Sequence, residues 1–246
     1  MPRLKFIVAY DGTELGGWQS QTHRNTVQDH LETAFKRVVG ERLVVHGAGR
    51  TDAGVHALAQ CAHVDLKNRR LSIGRWPTAL NTFLPPRIRV LRACYVSENF
   101  HARFSAKGKV YRYRIWRGAV LPPFECNRAW HVKEPLDFAL LKEAATLFVG
   151  RHNFGAFAAN RGKPPENTIR EIRSIKIRRR GAVVMIECDG DGFLYRMVRL
   201  MTGAIVGCGL RKFQPERIHD ELRSGHSLGP RLSAPAEGLY LVRVRY

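Results

Sequence analysis

Acidic residues are scarce in this chain of 246 residues: 21 Asp and Glu stand against 41 Lys and Arg, for a net charge of +20. Long apolar runs are missing too. No stretch of about 18 apolar residues occurs, which excludes a membrane-spanning helix. The opening residues Met1 to Val8 run almost directly into an apolar segment and reach Asp11 too soon for a signal peptide. The five cysteines, Cys61, Cys94, Cys126, Cys188 and Cys208, are odd in number and widely spaced, and no CxxC pair exists. Neither a zinc site nor a disulfide framework is indicated, and free buried thiols are the expectation. The ten histidines form no HExxH motif, and His23, His30 and His46 are read as surface or core residues rather than metal ligands. No GxxxxGK[ST] occurs, so nucleoside triphosphate hydrolysis is not signalled. A GxGxxG reading from Gly47 would put its third glycine at Asp52, and Gly207-Cys208-Gly209 lacks a third glycine altogether. Repeats and low-complexity segments are absent.

What remains is an ordinary globular balance, 44% hydrophobic and 25% charged, carrying an unusual charge. A chain of this length buries a substantial core as one large or two small domains. So basic a protein points to a polyanionic partner, nucleic acid first. Arginine dominates the positive side, and its planar fork suits bidentate phosphate contact.

The hydrophobic pattern alternates between strand and helix. Leu4, Phe6, Val8 and Tyr10 share one parity and read as a strand. Thr26 is placed to cap a helix with apolar positions Val27, Leu31, Ala34, Phe35, Val38 and Val39, and Gly40 suits its end. Strands are expected at Leu43–Val45, Ala59–Leu66, Ile88–Tyr95, Val110–Trp116, Ile172–Ile177, Val183–Cys188 and Gly238–Tyr246. A hairpin tip is expected at Arg178-Arg179-Arg180-Gly181. The segment 71–84 reads as helical or irregular and stops at Pro85-Pro86. Further helices are expected around Leu140–Phe148 and Met197–Cys208. Adjacent strands and interspersed helices favour an α+β fold, with helices packed on mainly antiparallel sheet. The small, polar stretch 105–109 divides the chain into halves of similar organisation, 1–106 and 107–246.

The strongest local signal is the loop Gly47-Ala48-Gly49-Arg50-Thr51-Asp52-Ala53-Gly54-Val55-His56-Ala57, in which glycines flank a single acid between two strands. A loop held at both ends by strands is a rigid place for a reacting side chain. Turn chemistry alone also selects Asp and Gly, so Asp52 as an Asx-turn residue stands beside Asp52 as a reacting carboxylate.

Through Gln60, this loop is similar to the GxGRTDxGVHAxxQ pattern of the bacterial tRNA pseudouridine synthase A family. The family's opening pattern resembles Tyr10-Asp11-Gly12-Thr13, then Gly17-Trp18-Gln19-Ser20-Gln21, then Thr26-Val27-Gln28. Leu15 stands where the family carries an aromatic. Further resemblances are Ala79-Leu80-Asn81 with Leu84-Pro85, and Phe100-His101-Ala102-Arg103-Phe104-Ser105-Ala106 followed by Tyr111-Arg112-Tyr113. Phe193-Leu194-Tyr195-Arg196-Met197-Val198-Arg199 and Ala234-Pro235-Ala236 with Gly238-Leu239 complete the set. These blocks follow the family's order and spacing along the whole chain. Two further departures fall at Asn153, where the family has Asp, and at Leu200, where it has Asn.

The resemblance implies a pseudouridine synthase fold of two similar subdomains with a central catalytic cleft. It implies isomerisation of uridine in and beside the anticodon loop of tRNA by a cytoplasmic homodimer that uses no cofactor and no metal. Asp52 is then the catalytic carboxylate, as nucleophile or base. Tyr111 packs against the target base, and Arg199 partners Asp52. On the residues alone, Tyr111 reads equally as a core strand tyrosine, and Arg199 as a solvated arginine. Arg50, His101 and Arg103 are candidates for RNA phosphate or backbone contact. A single catalytic acid argues against an ordinary glycosidase, which uses a carboxylate pair. The same chemistry on another RNA, and a catalytically silent RNA-binding protein, are the rival readings.

Overall fold

The computed structural model describes residues 1–22, 25–159 and 167–246. The chain divides into two compact units: Met1–Lys107 together with Tyr240–Tyr246, and Gly108–Leu239. Division of the sequence at 106/107 does not foresee the return of the chain's end to the first unit. His23 lies outside the described residues.

In the first unit, β1 (Arg3–Tyr10) alternates strictly, burying Leu4, Phe6, Val8 and Tyr10. It pairs antiparallel with both β3 (His56–Asp65) and β4 (Ile88–Val96). The short β2 (His46–Gly47) joins β3 antiparallel, and the chain's end, β10 (Leu239–Arg245), runs parallel to β3 through Tyr240↔His56 and Leu241↔Ala57. Helix α1 (Val27–Val39) starts where Thr26 accepts the Asp29 N–H and ends at left-handed Gly40. Its Phe35 packs on Phe6 and on Trp76 of α2 (Arg75–Asn81), at ring distances of 5.4 and 5.9 Å. That contact closes the unit's core over one face of the sheet.

One expected strand is displaced. Leu43–Val45 is a short apolar run rich in β-branched residues, but among the described residues it pairs with no strand. Two α1 side chains instead take up the main chain of Val45: its N–H donates to Glu32 Oε1 and its carbonyl accepts from Gln28 Nε2. Strand pairing begins only at His46.

The second unit is an antiparallel sheet in the order β5 (Gly108–Trp116), β9 (Val183–Gly190), β8 (Ile169–Arg180), β7 (Gly150–Asn153). The short β6 (Trp130–His131) runs parallel to β5. The expected arginine tip is instead strand. Arg178, Arg179 and Arg180 continue β8, and the hairpin turns on Gly181-Ala182, where Gly181 has φ 57°. Among the described residues three α-helices complete the unit: α3 (Phe138–Leu147), capped by Asp137, α4 (Met197–Gly209) and α5 (Glu216–Ser224). Helix α5 was not expected, since its sequence is mostly charged and buries only Ile218, Glu221 and Leu222. The expectation of buried thiols holds for Cys61, Cys188 and Cys208, whereas Cys94 and Cys126 are exposed. All five are free.

Every residue of α4 except Arg199 is buried. Such a helix needs neighbours on all sides, and glycine permits the closest approach. A Cβ on Gly203 would lie 1.7 Å from the Leu232 carbonyl oxygen, a main-chain atom that cannot step aside. Gly203→Ala is therefore expected to destabilise the protein by about 3 kcal/mol or to prevent folding of this unit. Gly74→Ala, where nothing lies within 4 Å, should stay within about 0.5 kcal/mol of the parent. Urea denaturation of the three proteins measures both.

Candidate active site

The Asp52 loop leaves β2 and enters β3, so sheet pairing fixes both of its ends. Its middle is held by the segment between β1 and α1. The Tyr10 hydroxyl lies 2.9 Å from Thr51 Oγ1, and both side chains are buried. The Thr51 carbonyl accepts the Trp18 N–H at 3.1 Å. Gly17, with φ 88°, lies so close that a Cβ there would sit 2.5 Å from the Thr51 carbonyl oxygen. No other residue type offers both that backbone and that clearance. From behind, Gln60 Nε2 donates to the Gly49 carbonyl, and Ala48 N–H to the Cys61 carbonyl.

Residues 52–55 form a turn closed by the Val55 N–H on the Asp52 carbonyl at 3.2 Å, with left-handed Gly54 in its third position. The main chain thus closes the turn at a half-buried aspartate. Next along, buried His56 stacks on Tyr240 at 4.5 Å, and its Nδ1 accepts the Gly12 N–H at 3.0 Å, with Asp11 Oδ1 3.1 Å away. That bond ties the start of β3 to the turn after β1. Exposed Arg50 donates through Nε to Gln19 Oε1, and Gln19 donates to the Gln28 side chain. Gln28 and Glu32 carry the chain of bonds to Val45, so the Arg50 guanidinium is aimed by a network rooted in α1.

His101 and Arg103 lie together on a turn at the base of this loop. Ala102 of the turn and Ala48 of the loop share one buried apolar cluster with Cys61. His46 stacks on His63 at 5.0 Å, and His63 meets His101 edge-on at 4.8 Å. Both Nδ1 atoms are acceptors: His63 takes the Ala102 N–H, and His101 takes those of Arg103 and Phe104. Both rings are therefore held neutral. Burial, helped by Arg3, His46 and His101, lowers the His63 pKa to about 4, against a smaller upward pull from Asp65. His101 is lowered chiefly by burial. Among the described residues, no three His, Cys, Asp or Glu side chains are grouped as metal ligands.

In the second unit, Tyr111 lies on β5 opposite Cys188, 8% exposed, with its ring edge-on to Phe193 at 5.1 Å. Arg199 stands in the first turn of α4. Its Nε donates to the Ala234 carbonyl at 2.7 Å, and the Ala234 N–H donates back to the Arg199 carbonyl at 3.1 Å. Tyr195 does not share this helix with Arg199, because Arg196 is left-handed, with φ 58°, and the helix begins only after it. The supporting role of Ala234 and Pro235 has no local signal in the sequence, because it runs through their main-chain groups. The buried Tyr113 hydroxyl donates to the Pro235 carbonyl at 2.7 Å, so adjacent residues fix Arg199 and Tyr113.

The departures from the family pattern are accommodated locally. Leu15 is buried in place of an aromatic, and Leu200 is buried in α4. Asn153 Oδ1 accepts the Gly155 N–H at 3.0 Å, a bond that an aspartate would also accept.

A sequence model of the family described as tRNA pseudouridine synthase matches residues 6–105 and 144–246. The protein named tRNA pseudouridine synthase A of Akkermansia muciniphila is 44% identical over 254 residues, covering all of this chain and 96% of that one. That of Moorella thermoacetica is 42% identical over 251 residues, covering both chains fully. That of Acetivibrio thermocellus is 40% identical over 246 residues, again covering both fully. The chain belongs to the tRNA pseudouridine synthase family, whose members are isomerases.

The neutral His63 gives a pH prediction. Its folded pKa, about 4, lies below the ordinary value of 6.5, so the unfolded chain takes up the proton first. The stability it contributes is complete above pH 6.5 and is lost as pH falls toward and through about 4. Denaturation midpoints should decline over that window in the parent, and more shallowly in His63→Gln.

Proposed function

We propose that this chain isomerises uridine to pseudouridine in the anticodon stem-loop of tRNA, with Asp52 as its catalytic carboxylate. Family membership supports the activity. The observation that supports Asp52 is its place on the loop that Tyr10, Gly17 and Trp18 clamp, in a turn closed by the Val55 N–H on the Asp52 carbonyl. A half-buried carboxylate on a fixed backbone is suited to a reaction that needs one charged oxygen at one sugar carbon.

The reaction breaks the C1′–N1 bond. An ionised Asp52 serves either by attacking C1′ or by taking the C2′ proton, and the uracil departs as an anion. The base turns and C5 bonds to C1′, either as the C1′–O bond to Asp52 breaks or as the proton held by Asp52 returns to C2′; the C5 proton then leaves as N1 gains one. No net redox change occurs. Tyr111 offers an aromatic surface for an unstacked uracil and an acceptor for the C5 proton. Arg199, fixed by Ala234, is the cation proposed to keep Asp52 ionised and aimed. Arg50, His101 and Arg103 are the proposed phosphate and backbone contacts. Recognition is by RNA shape, with the target nucleotide taken from its stack.

The net charge of +20 supports a polyanionic substrate. We place the protein in the cytoplasm, where tRNA is modified; no helix of the described residues is long and apolar enough to cross a membrane. No cofactor and no metal enter the scheme. A two-fold dimer supplies the larger basic surface that an extended RNA arm needs, and light scattering at micromolar concentration is expected to give the mass of two chains.

Asp52→Asn separates a turn residue from a reacting one. Asn forms the same turns but neither attacks C1′ nor takes a proton. We expect no detectable tritium release from tRNA carrying 5-tritiated uridine. Affinity for tRNA should stay within about tenfold, or roughly 1.4 kcal/mol, because phosphate contacts lie elsewhere. Substantial turnover by a correctly folded Asp52→Asn protein would sink this mechanism.

A further inference from the structure

Phe104 is 77% exposed, although the turn that carries it is among the most heavily tied segments of the first unit. A single exposed apolar side chain is ordinarily unremarkable. This one sits on a backbone that cannot readily turn it inward. Arg3 Nη1 donates to the Phe100 carbonyl and the Tyr246 hydroxyl to the Ala102 carbonyl, while the Ala102 N–H is held by His63. The N–H groups of Arg103 and Phe104 both end on His101 Nδ1. His101 and Ser105 close the turn on each other, the His101 N–H on Ser105 Oγ and the Ser105 N–H on the His101 carbonyl.

The ring has company of one kind. His101 backs it at 4.4 Å between centroids, tilted by 33°, and the Arg103 guanidinium carbon lies 5.7 Å from its centroid. Arg103 and Lys107 are both exposed within four residues of each other. A preorganised aromatic surface beside a guanidinium matches one chemical unit well. An unpaired nucleotide presents a π-face for the ring and, one bond system away, a phosphate for the cation. A second copy of this chain fits poorly, since a two-fold contact through this turn would set its cations against themselves.

We propose that Phe104 is a stacking platform for an unpaired RNA base, with Arg103 on the adjoining phosphate and His101 as the positioning residue that locks the turn. This rests on the reading of tRNA as substrate and adds to it a base contact outside the reacting group. The contact is tolerant of base identity, because every base has a π-face.

The test uses the full-length protein and an unmodified tRNA transcript, with affinity measured at several salt concentrations. Phe104→Ala is expected to weaken binding roughly ten- to hundredfold without changing the salt slope, since no phosphate contact is lost. Arg103→Gln should instead reduce that slope by about one. Phe104→Trp should bind like the parent, and its added indole emission should change on titration with tRNA, beyond the change seen in the parent. Parental affinity in Phe104→Ala, with the parent itself binding tRNA, removes the platform and leaves the functional reading intact. A parent that does not bind tRNA removes the functional reading, and the platform with it. If Phe104→Ala loses affinity only in step with a lower assembly mass in sedimentation, Phe104 is a self-association contact and the platform is rejected.

Discussion

Thr51 is held from two directions, and the geometry of the Asp52 loop follows from that. Its hydroxyl meets the Tyr10 hydroxyl, and its carbonyl takes the Trp18 N–H. Tyr10 ends a strand in the middle of its sheet, and the Trp18 carbonyl accepts the Gln28 N–H in the first turn of α1, so the clamp ties the loop to a strand and a helix of the unit. A loop of this length would otherwise sample many conformations, at an entropic cost of about 1–2 kcal/mol for each residue fixed. Here the cost is met before any substrate arrives, which is the condition for a carboxylate to act at one atom of a sugar.

The same device recurs wherever a candidate side chain needs aiming. An irregular stretch of main chain is held by polar side chains projecting from regular structure. Gln28 and Glu32 reach from α1 to Val45, and through Gln19 they orient Arg50. His63, from β3, holds the turn 101–104 through the Ala102 N–H, and His101 braces that turn from within. Tyr113 and Arg199 hold the stretch 234–235. Each arrangement buries polar groups, and each is tolerable because the buried atoms find partners. The histidine version carries a condition that the others lack, because its acceptor nitrogens must stay unprotonated.

Much of this was legible in the residues before any coordinates. The period-two burial of β1, the Thr26 cap and Gly40 stop of α1, and the strands β3, β4, β5, β8 and β9 follow from local patterning, where the side-chain period reports which face is buried. Expectation failed where long-range partners decide. Leu43–Val45 has a strand's apolar, β-branched composition, yet the main chain of Val45 is claimed by α1. The arginines before Gly181 read as a turn because of their charge, yet they continue a strand whose outer face is solvated. α5 buries too few residues for its pattern to stand out from that of a loop.

For the site, the sequence by itself determined the chemistry on offer: one acid between glycines, a tyrosine and an arginine in matching family blocks, and a surplus of positive charge. Residue type and order carry that information, because ionisation, aromatic faces and glycine's backbone freedom are properties of single residues. Only the tertiary structure decided what holds each of them in place. That Thr51 is clamped by Tyr10 and Trp18, that His56 bonds Gly12, and that Arg199 leans on Ala234 are contacts between residues 33 to 44 positions apart along the chain. Such contacts are fixed by the packing of strands and helices against one another, and no local pattern encodes them.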